Sequence, residues 1–421
     1  MDMDIKTWAI EGSVRFGAVE GGVYVWEFDD FWKRSNTFHA FLRFVDAAEQ
    51  RWGNDPALQQ MKELRTTIIK ENDSYFKTKI GKTWVWADDY GWCGISCLAA
   101  HDYLRSINQP DAANSYLNLA EQCWQHMRDI GYDASDDATP VPHGCGNVSL
   151  DRKPVEGYGT KNTVTNVNLL LLSLRLYGAT KNPDYLSMAY AQYKWFHTWN
   201  TITYDSLDDG YYWRGRESVA PPYVLIHERP MAQKSYTRKT EPTWNPGWIW
   251  TGDQGLMISA MAELFLMRDD FHQFSDFDSE WVRHKCRRLL DGVALFLFGA
   301  DKVLREAPFD SSFSDDPGDY VGGRGVLLRY ASEKAVQQVL GLPFYLEAMR
   351  ATAAAVWNSR RDKQTNQFAS LWNEAGDRAF NQSFVAAWGS GNPNTGSWGS
   401  AYDGVLQANG LDALTAAMRA G

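Results

Sequence analysis

Six times along the chain, a cluster of aromatic, glycine and polar residues runs into a stretch whose apolar side chains recur at three- and four-residue intervals. The clusters are GGVYVWEFDDFW near Gly21, WVWADDYGW near Asp89, GYGTKNT near Asn162, WNPGWIWTGDQG near Asp253, GDYVGGRG near Gly323 and NTGSWGSAYDG near Trp398. The apolar interval is that of amphipathic helices, and clean strand alternation is scarce. Helices are predicted over 37–52, 56–72, 91–107, 111–130, 163–178, 184–199, 252–267, 280–298, 324–340, 343–358 and 403–419, with a twelfth hidden elsewhere. Successive clusters lie about 70 to 90 residues apart, room for one helical hairpin with its loops.

Six such hairpins account for the 421 residues. Closed into a ring they make an all-α (α/α)6 toroid, with six inner helices around a central cavity and six outer helices covering them. The decorated helix starts then gather on one rim. No Ser- or Pro-rich linker interrupts the pattern, so residues 1–421 are read as a single catalytic domain. An open α-solenoid is the alternative, but outward-facing repeats have little use for Trp and Gly at every helix entrance. The stretch 204–244 has little periodicity and many Pro, Tyr and Arg residues, and is expected to wall one side of a groove.

The formal charge of −10 argues against a nucleic-acid partner, which is held by Lys and Arg displacing counterions. Nineteen tryptophans fit either a large helical core or a surface that stacks on sugar faces. Five cysteines cannot all pair within one chain, and Cys93 and Cys97, one helical turn apart, suit a buried structural pair. No metal or cofactor motif stands out. The opening MDMDIKTWAI lacks the sections of a signal peptide, so the chain is expected to be intracellular or to have lost a leader. The longest apolar run, VNLLLLSL, is too short to cross a bilayer.

Within WVWADDYGW, Asp88 and Asp89 stand side by side among aromatic rings. Asp-Asp pairs also occur at 29–30, 136–137, 208–209, 269–270 and 315–316, most of them at solvated loop or helix-capping positions, with the 29–30 pair in WEFDDFW the nearest competitor. Only Asp88 and Asp89 combine an aromatic setting with the start of an amphipathic helix and a place among the rim clusters. A helix N-terminus favours an ionised carboxylate, and a second carboxylate beside that charge keeps its proton more tightly. One anion and one acid is the division of labour that glycoside hydrolysis requires. Adjacent Cα atoms about 3.8 Å apart allow diverging carboxyls to approach the roughly 5 Å separation of a retaining mechanism. Capping and solubility are the competing use of such a pair.

Around them, Trp84, Trp86, Tyr90, Trp92, Trp244, Trp248 and Trp250 are candidates for stacking on sugar rings, with core packing the alternative for each. Lys161, Asn162 and Asn166 in TKNTVTN, with Asp253 and Gln254 in TGDQG, offer hydroxyl-binding donors and acceptors or helix caps. Arg324, behind two glycines, reaches either a sugar or a carbonyl.

WVWADDYGW, TKNTVTNVNLLLLSLRLY with YAQYKWF, WTGDQGLMISAMAEL and GGRGVLLRY together resemble, in order, the motif series of glycoside hydrolase family 76, the endo-α-1,6-mannanases. The resemblance runs from about Gly21 to the C-terminal LDAL. It implies an (α/α)6 fold, no metal and a retaining mechanism, with Asp88 as nucleophile and Asp89 as acid/base. It also implies a polysaccharide or oligosaccharide substrate and favours an extracellular setting. The family commonly has Asn where this chain has Asp253, and the stretch around 223–236 is unfamiliar, so a branched, decorated or shorter substrate is also open. The chain is expected to act as a monomer.

Two other activities are compatible with a toroid. A transglycosylase on cell-wall mannan would use the same covalent intermediate and pass it to another sugar. A sugar epimerase needs bases at carbon, usually His, and His39, His101, His126 and His143 fall mostly outside the rim clusters. No GxxxxGK[ST], HExxH or GxSxG run occurs.

Overall fold

A computed structural model describes residues 19–20, 23–24, 31–53, 55–135, 143–198, 225–226, 228, 249–307, 317–341, 343–364, 366–388 and 398–420. A hairpin of two-residue strands, β1 (Val19–Glu20) and β2 (Val23–Tyr24), precedes the helices. These are α1 (Phe31–Trp52), α2 (Gln59–Lys79), α3 (Ala87–Ser106), α4 (Pro110–Gly131), α5 (Lys153–Glu156), α6 (Thr163–Thr180), α7 (Pro183–Thr198) and α8 (Thr251–Leu266). They continue with α9 (Ser279–Phe296), α10 (Gly323–Ala331), α11 (Lys334–Leu340), α12 (Pro343–Asn358), α13 (Glu374–Phe380), α14 (Gln382–Trp388) and α15 (Trp398–Arg419).

Six of them close a ring. Helix α1 lies against α3, α3 against α6, α6 against α8, α8 against α10, α10 against α15, and α15 returns to α1. That last contact separates a toroid from an open solenoid. Five further long helices alternate with the ring members in sequence and cover them: α4 packs on α3, α7 on α6, α9 on α8, α12 on α15, and α2 bridges α1 and α4. A sixth long outer helix is not among the described residues.

The two layers read differently in sequence because they are buried differently. Outer helix α4 buries one stripe, with Ala113, Tyr116, Leu119, Ala120, Cys123, Trp124, Met127 and Ile130 at helical spacing. Ring helix α6 buries every position from Thr163 to Leu174, because its neighbours enclose it on all sides. Its side-chain cap is Asn162, which accepts from the Thr165 amide at 3.3 Å. All five cysteines are buried free thiols, and Cys93 and Cys97 lie 4.0 Å apart, sulfur to sulfur.

The predicted helix over 324–340 is two helices. Ser332 ends α10, and Glu333 turns inward to meet Arg43 at 3.0 Å and Arg175 at 2.7 Å, which breaks the helical path. The short helices α13 and α14 were not anticipated, and ring helices α1, α3 and α15 begin four to six residues earlier than their apolar patterns suggest.

The direction of the ring follows from one of its mouths. A cavity of about 270 Å³ is lined by Arg43 and Asp46 of α1, Asp102 of α3, Arg175 of α6, Glu263 of α8 and Arg419 of α15, each toward the C-terminal end of its helix. The ring helices therefore run the same way, and their N-terminal ends share the opposite mouth. Arg175 plugs the C-terminal side, bonding Glu263 at 2.6 Å and Glu333 at 2.7 Å. No helix among the described residues is long and apolar enough to cross a membrane.

Candidate active site

The aspartate pair lies in the first turn of α3, on the N-terminal mouth, and both residues are partly exposed. Asp88 Oδ1 accepts from the Asp89 amide at 2.9 Å, and Oδ2 accepts from Asn147 Nδ2 at 2.9 Å. The Asp88 amide in turn donates to Asn147 Oδ1 at 3.4 Å. Asp89 Oδ2 accepts from the Trp86 amide at 3.2 Å, closing the free end of the helix. Both Asp88 oxygens thus face N–H donors, the setting that favours an anion.

The loop that carries Asn147 is a short ladder. Antiparallel bridges join Trp86 to Ser149, Tyr132 to Cys145 and Asn147 to Thr160, and the Ala87 amide donates to Val148 O at 3.1 Å. The polar residues of TKNTVTN serve this ladder. Asn166 accepts from the Cys145 amide at 2.6 Å and donates to the Cys145 carbonyl at 2.8 Å. Lys161 is buried against Asp133 at 2.7 Å, and Asn162 caps α6. All three are therefore placed as supports of the loop, with their polar groups occupied by protein.

The remaining candidates fall into several settings. Gln254 is buried and pairs with both backbone groups of Ile226, each at 2.8 Å. Arg324 is fully buried, stacked 4.0 Å over Trp372 and 4.9 Å over Phe384, and it donates to the Ser370 carbonyl. The carbonyl is the partner that the structure records for Arg324. Asp253 is fully buried at the start of α8, and neither oxygen has a hydrogen-bond partner among the described residues. Burial, and then the Glu228 carboxylate, push its acid well above the usual range.

Of the aromatic candidates, Trp84 is 41 % exposed and Trp86 partly exposed, with Lys79 and Arg152 over their faces at 5.7 and 5.0 Å. Tyr90 is core: its hydroxyl accepts from the Gly81 amide at 3.1 Å and donates to Lys82 O at 3.3 Å. Trp92 and Trp250 are buried and meet edge to face, centroids 6.3 Å apart, joining two ring helices that are not neighbours. Trp244 and Trp248, like most of the stretch 204–244, lie outside the described residues.

Two residues escaped the sequence reading. Asn147 follows GCG with no charge or ring to mark it. Glu306 is buried beside the start of α10, so close that a Cβ on Gly323 would lie 2.7 Å from its Oε1 and 2.8 Å from Trp250 Nε1. Burial pushes the Glu306 carboxyl up to about 7, against the pull of Arg324. The histidines are dispersed: His39 is buried by Arg329, His101 pairs with Asp102 at 3.0 Å, and His126 stacks on Tyr90. No group of three or more metal-ligating side chains occurs among the described residues.

Comparison with known proteins agrees with this architecture. The Glycosyl hydrolase family 76 model matches residues 15–222. A Schizosaccharomyces pombe protein provisionally named mannan endo-1,6-alpha-mannosidase is 21 % identical over 289 residues, 68 % of this chain. The match covers 56 % of that relative, so this chain spans little more than half its length. Among solved structures, the GH76A alpha-1,6-mannanase of Salegentibacter sp. HEL1_6 superposes with a TM-score of 0.61 at 16 % identity, covering 99 % of both chains. An inactive variant of that mannanase, with two adjacent aspartates changed to asparagine, was solved with α-1,6-mannotriose. Dfg5 of Chaetomium thermophilum, solved with glucosamine, gives a TM-score of 0.65 at 15 % identity over 99 % of this chain and 90 % of that one. The family 76 model thus matches just under half of the chain, and the closed ring of helices is the fold that the chain shares with these solved structures.

Proposed function

We propose that this chain is a retaining glycoside hydrolase of α-1,6-linked mannan, with Asp88 as nucleophile and Asp89 as acid/base in one catalytic domain. The observation that carries the reading is the pair of adjacent, partly exposed carboxyls in the first turn of a ring helix, at the mouth where the N-terminal ends of the ring meet. Asp88 accepts N–H bonds on both oxygens, and Asp89 accepts from the Trp86 amide at the helix end. The α-1,6-mannanase likeness and the double-aspartate variant of that relative support the choice of substrate and pair.

In the reaction, an Asp88 oxygen bonds the anomeric carbon as the glycosidic C–O bond breaks, and Asp89 gives its proton to the leaving oxygen. Water then attacks the same carbon, Asp89 takes its proton, and Asp88 is released. Two inversions return the original anomeric configuration. Trp84 and Trp86, the partly exposed rings beside the pair, are the stacking surfaces in this reading.

The test is α-1,6-mannan hydrolysis followed by NMR of the first-formed anomer. Asp88→Asn and Asp89→Asn are each expected to lower kcat by at least about 10³-fold while the unfolding midpoint is retained. Wild-type rates in either variant, or a β-anomer as first product, would overturn the assignment. Products longer than the substrate would instead mark transfer to a sugar acceptor.

A further inference from the structure

Asp88 is oriented from outside its own helix. The Asn147 amide grips it twice, donating from Nδ2 to the carboxylate at 2.9 Å and accepting at Oδ1 from the Asp88 backbone N–H at 3.4 Å. Turning the amide over would set its oxygen against the carboxylate and its NH₂ against the N–H, so only one orientation satisfies both contacts. A side chain bonded to both the backbone and the carboxylate of one residue restricts that residue's side-chain torsions as well as its charge.

Asn147 is itself held to a fixed register. Its amide donates to Thr160 O at 2.7 Å, and the next residue, Val148, receives the Ala87 amide at 3.1 Å. The ladder is so tight that a Cβ on Gly146 would lie 1.7 Å from Tyr158 O, and one on Gly159 would lie 2.2 Å from Asn147 O. Gly159 also has φ +67°, a conformation glycine adopts without strain. Asn166 clamps the backbone of Cys145 two residues earlier. Much of GCGNVS and GYGTKNTVTN therefore serves to place one amide against one carboxylate.

We propose that Asn147 is the positioning residue of the nucleophile, setting the direction and the ionisation of Asp88; this rests on the nucleophile assignment above. Ionisable neighbours of Asp88 include Asp89 on the same helix and Cys145 on the ladder, whose thiol is kept neutral first by burial and then by the Asp88 charge. A neutral amide supplies a donor to Asp88 without adding a charge that would bias Asp89.

The experiment compares Asn147→Ala and Asn147→Asp with wild type on α-1,6-mannan across pH, with Asp88→Asn in the same assay. For Asn147→Ala, kcat is expected to fall about 10- to 100-fold with KM changed less than about twofold, and the acid limb of kcat/KM to move up by roughly one pH unit. Asn147→Asp keeps the shape, loses the donor and adds like charge, and is expected to lose at least as much. A purely structural asparagine would lower stability without moving the acid limb. The same shift is expected without substrate in ¹³C NMR titration of aspartate-labelled protein, following the carboxyl signal that Asp88→Asn removes. An unmoved limb and unmoved signal in Asn147→Ala, with Asp88→Asn inactive, would overturn the positioning role alone. Retained activity in Asp88→Asn would overturn it together with the nucleophile assignment.

Discussion

Lys161 Nζ lies 2.7 Å from Asp133 Oδ2, and both side chains are buried between the end of α4 and the start of α6. The pair holds the two segments that flank the Asn147 ladder. Burial alone would raise the Asp133 carboxyl, but hydrogen bonds from Lys161 and Ser135 outweigh it and hold the group below its ordinary range. Lys161→Met strands that carboxylate and is expected to cost about 3 kcal/mol in urea unfolding at pH 7. A carboxyl depressed in the folded state contributes stability above its unfolded value and loses it as pH falls through its folded one. The gap between wild type and Lys161→Met is therefore expected to narrow below about pH 4.

The ring is closed by a second buried pair. Arg329 of α10 reaches both oxygens of Asp412 of α15 at 2.9 and 2.8 Å, and its remaining Nη1 donates to Asn36 of α1 at 2.9 Å. One guanidinium thus ties three ring helices at the seam where the chain meets itself. Asp412→Leu and Arg329→Met each leave a buried charge without its counter-ion and are each expected to cost about 3–5 kcal/mol, while the two together recover most of that loss. A double-mutant cycle from urea unfolding reads the coupling directly, and single and double variants of equal stability would contradict it.

How much of this was legible in the sequence depended on how local each signal was. The stripe of α4 and the apolar run of α6 are contained within single segments, and periodicity found both. The break after Ala331 was hidden because its cause, the pull of Arg43 and Arg175 on Glu333, comes from residues distant in sequence. The aspartate pair announced itself by adjacency, whereas Asn147 acts on Asp88 across 59 positions and carries no composition signal. Lys161, Asn162, Asn166 and Gln254 were drawn into the site for their polarity; burial turned each toward backbone or a counter-charge instead. A polar side chain at a helix start has an orphan amide or a loop to satisfy before it has a ligand.

Asp253 is the exception among those polar residues. It is fully buried on ring helix α8, both oxygens lack a hydrogen-bond partner among the described residues, and Gln254 beside it bonds both backbone groups of Ile226. Burial and the Glu228 carboxylate hold its acid well above the usual range, so the folded protein favours the protonated form. The unfolded chain releases that proton near the ordinary aspartate value of about 4, so stability from this group is present below that pH and lost as pH rises through the folded value. Asp253→Asn replaces the acid by a neutral group of the same shape, the residue type common at this motif position in the family that the chain resembles. It is expected to stabilise the fold by about 1–3 kcal/mol at pH 8 and by almost nothing at pH 4. Thermal unfolding of both proteins at the two pH values decides it: equal midpoints at pH 8 would mean that Asp253 is ionised and compensated in the folded chain.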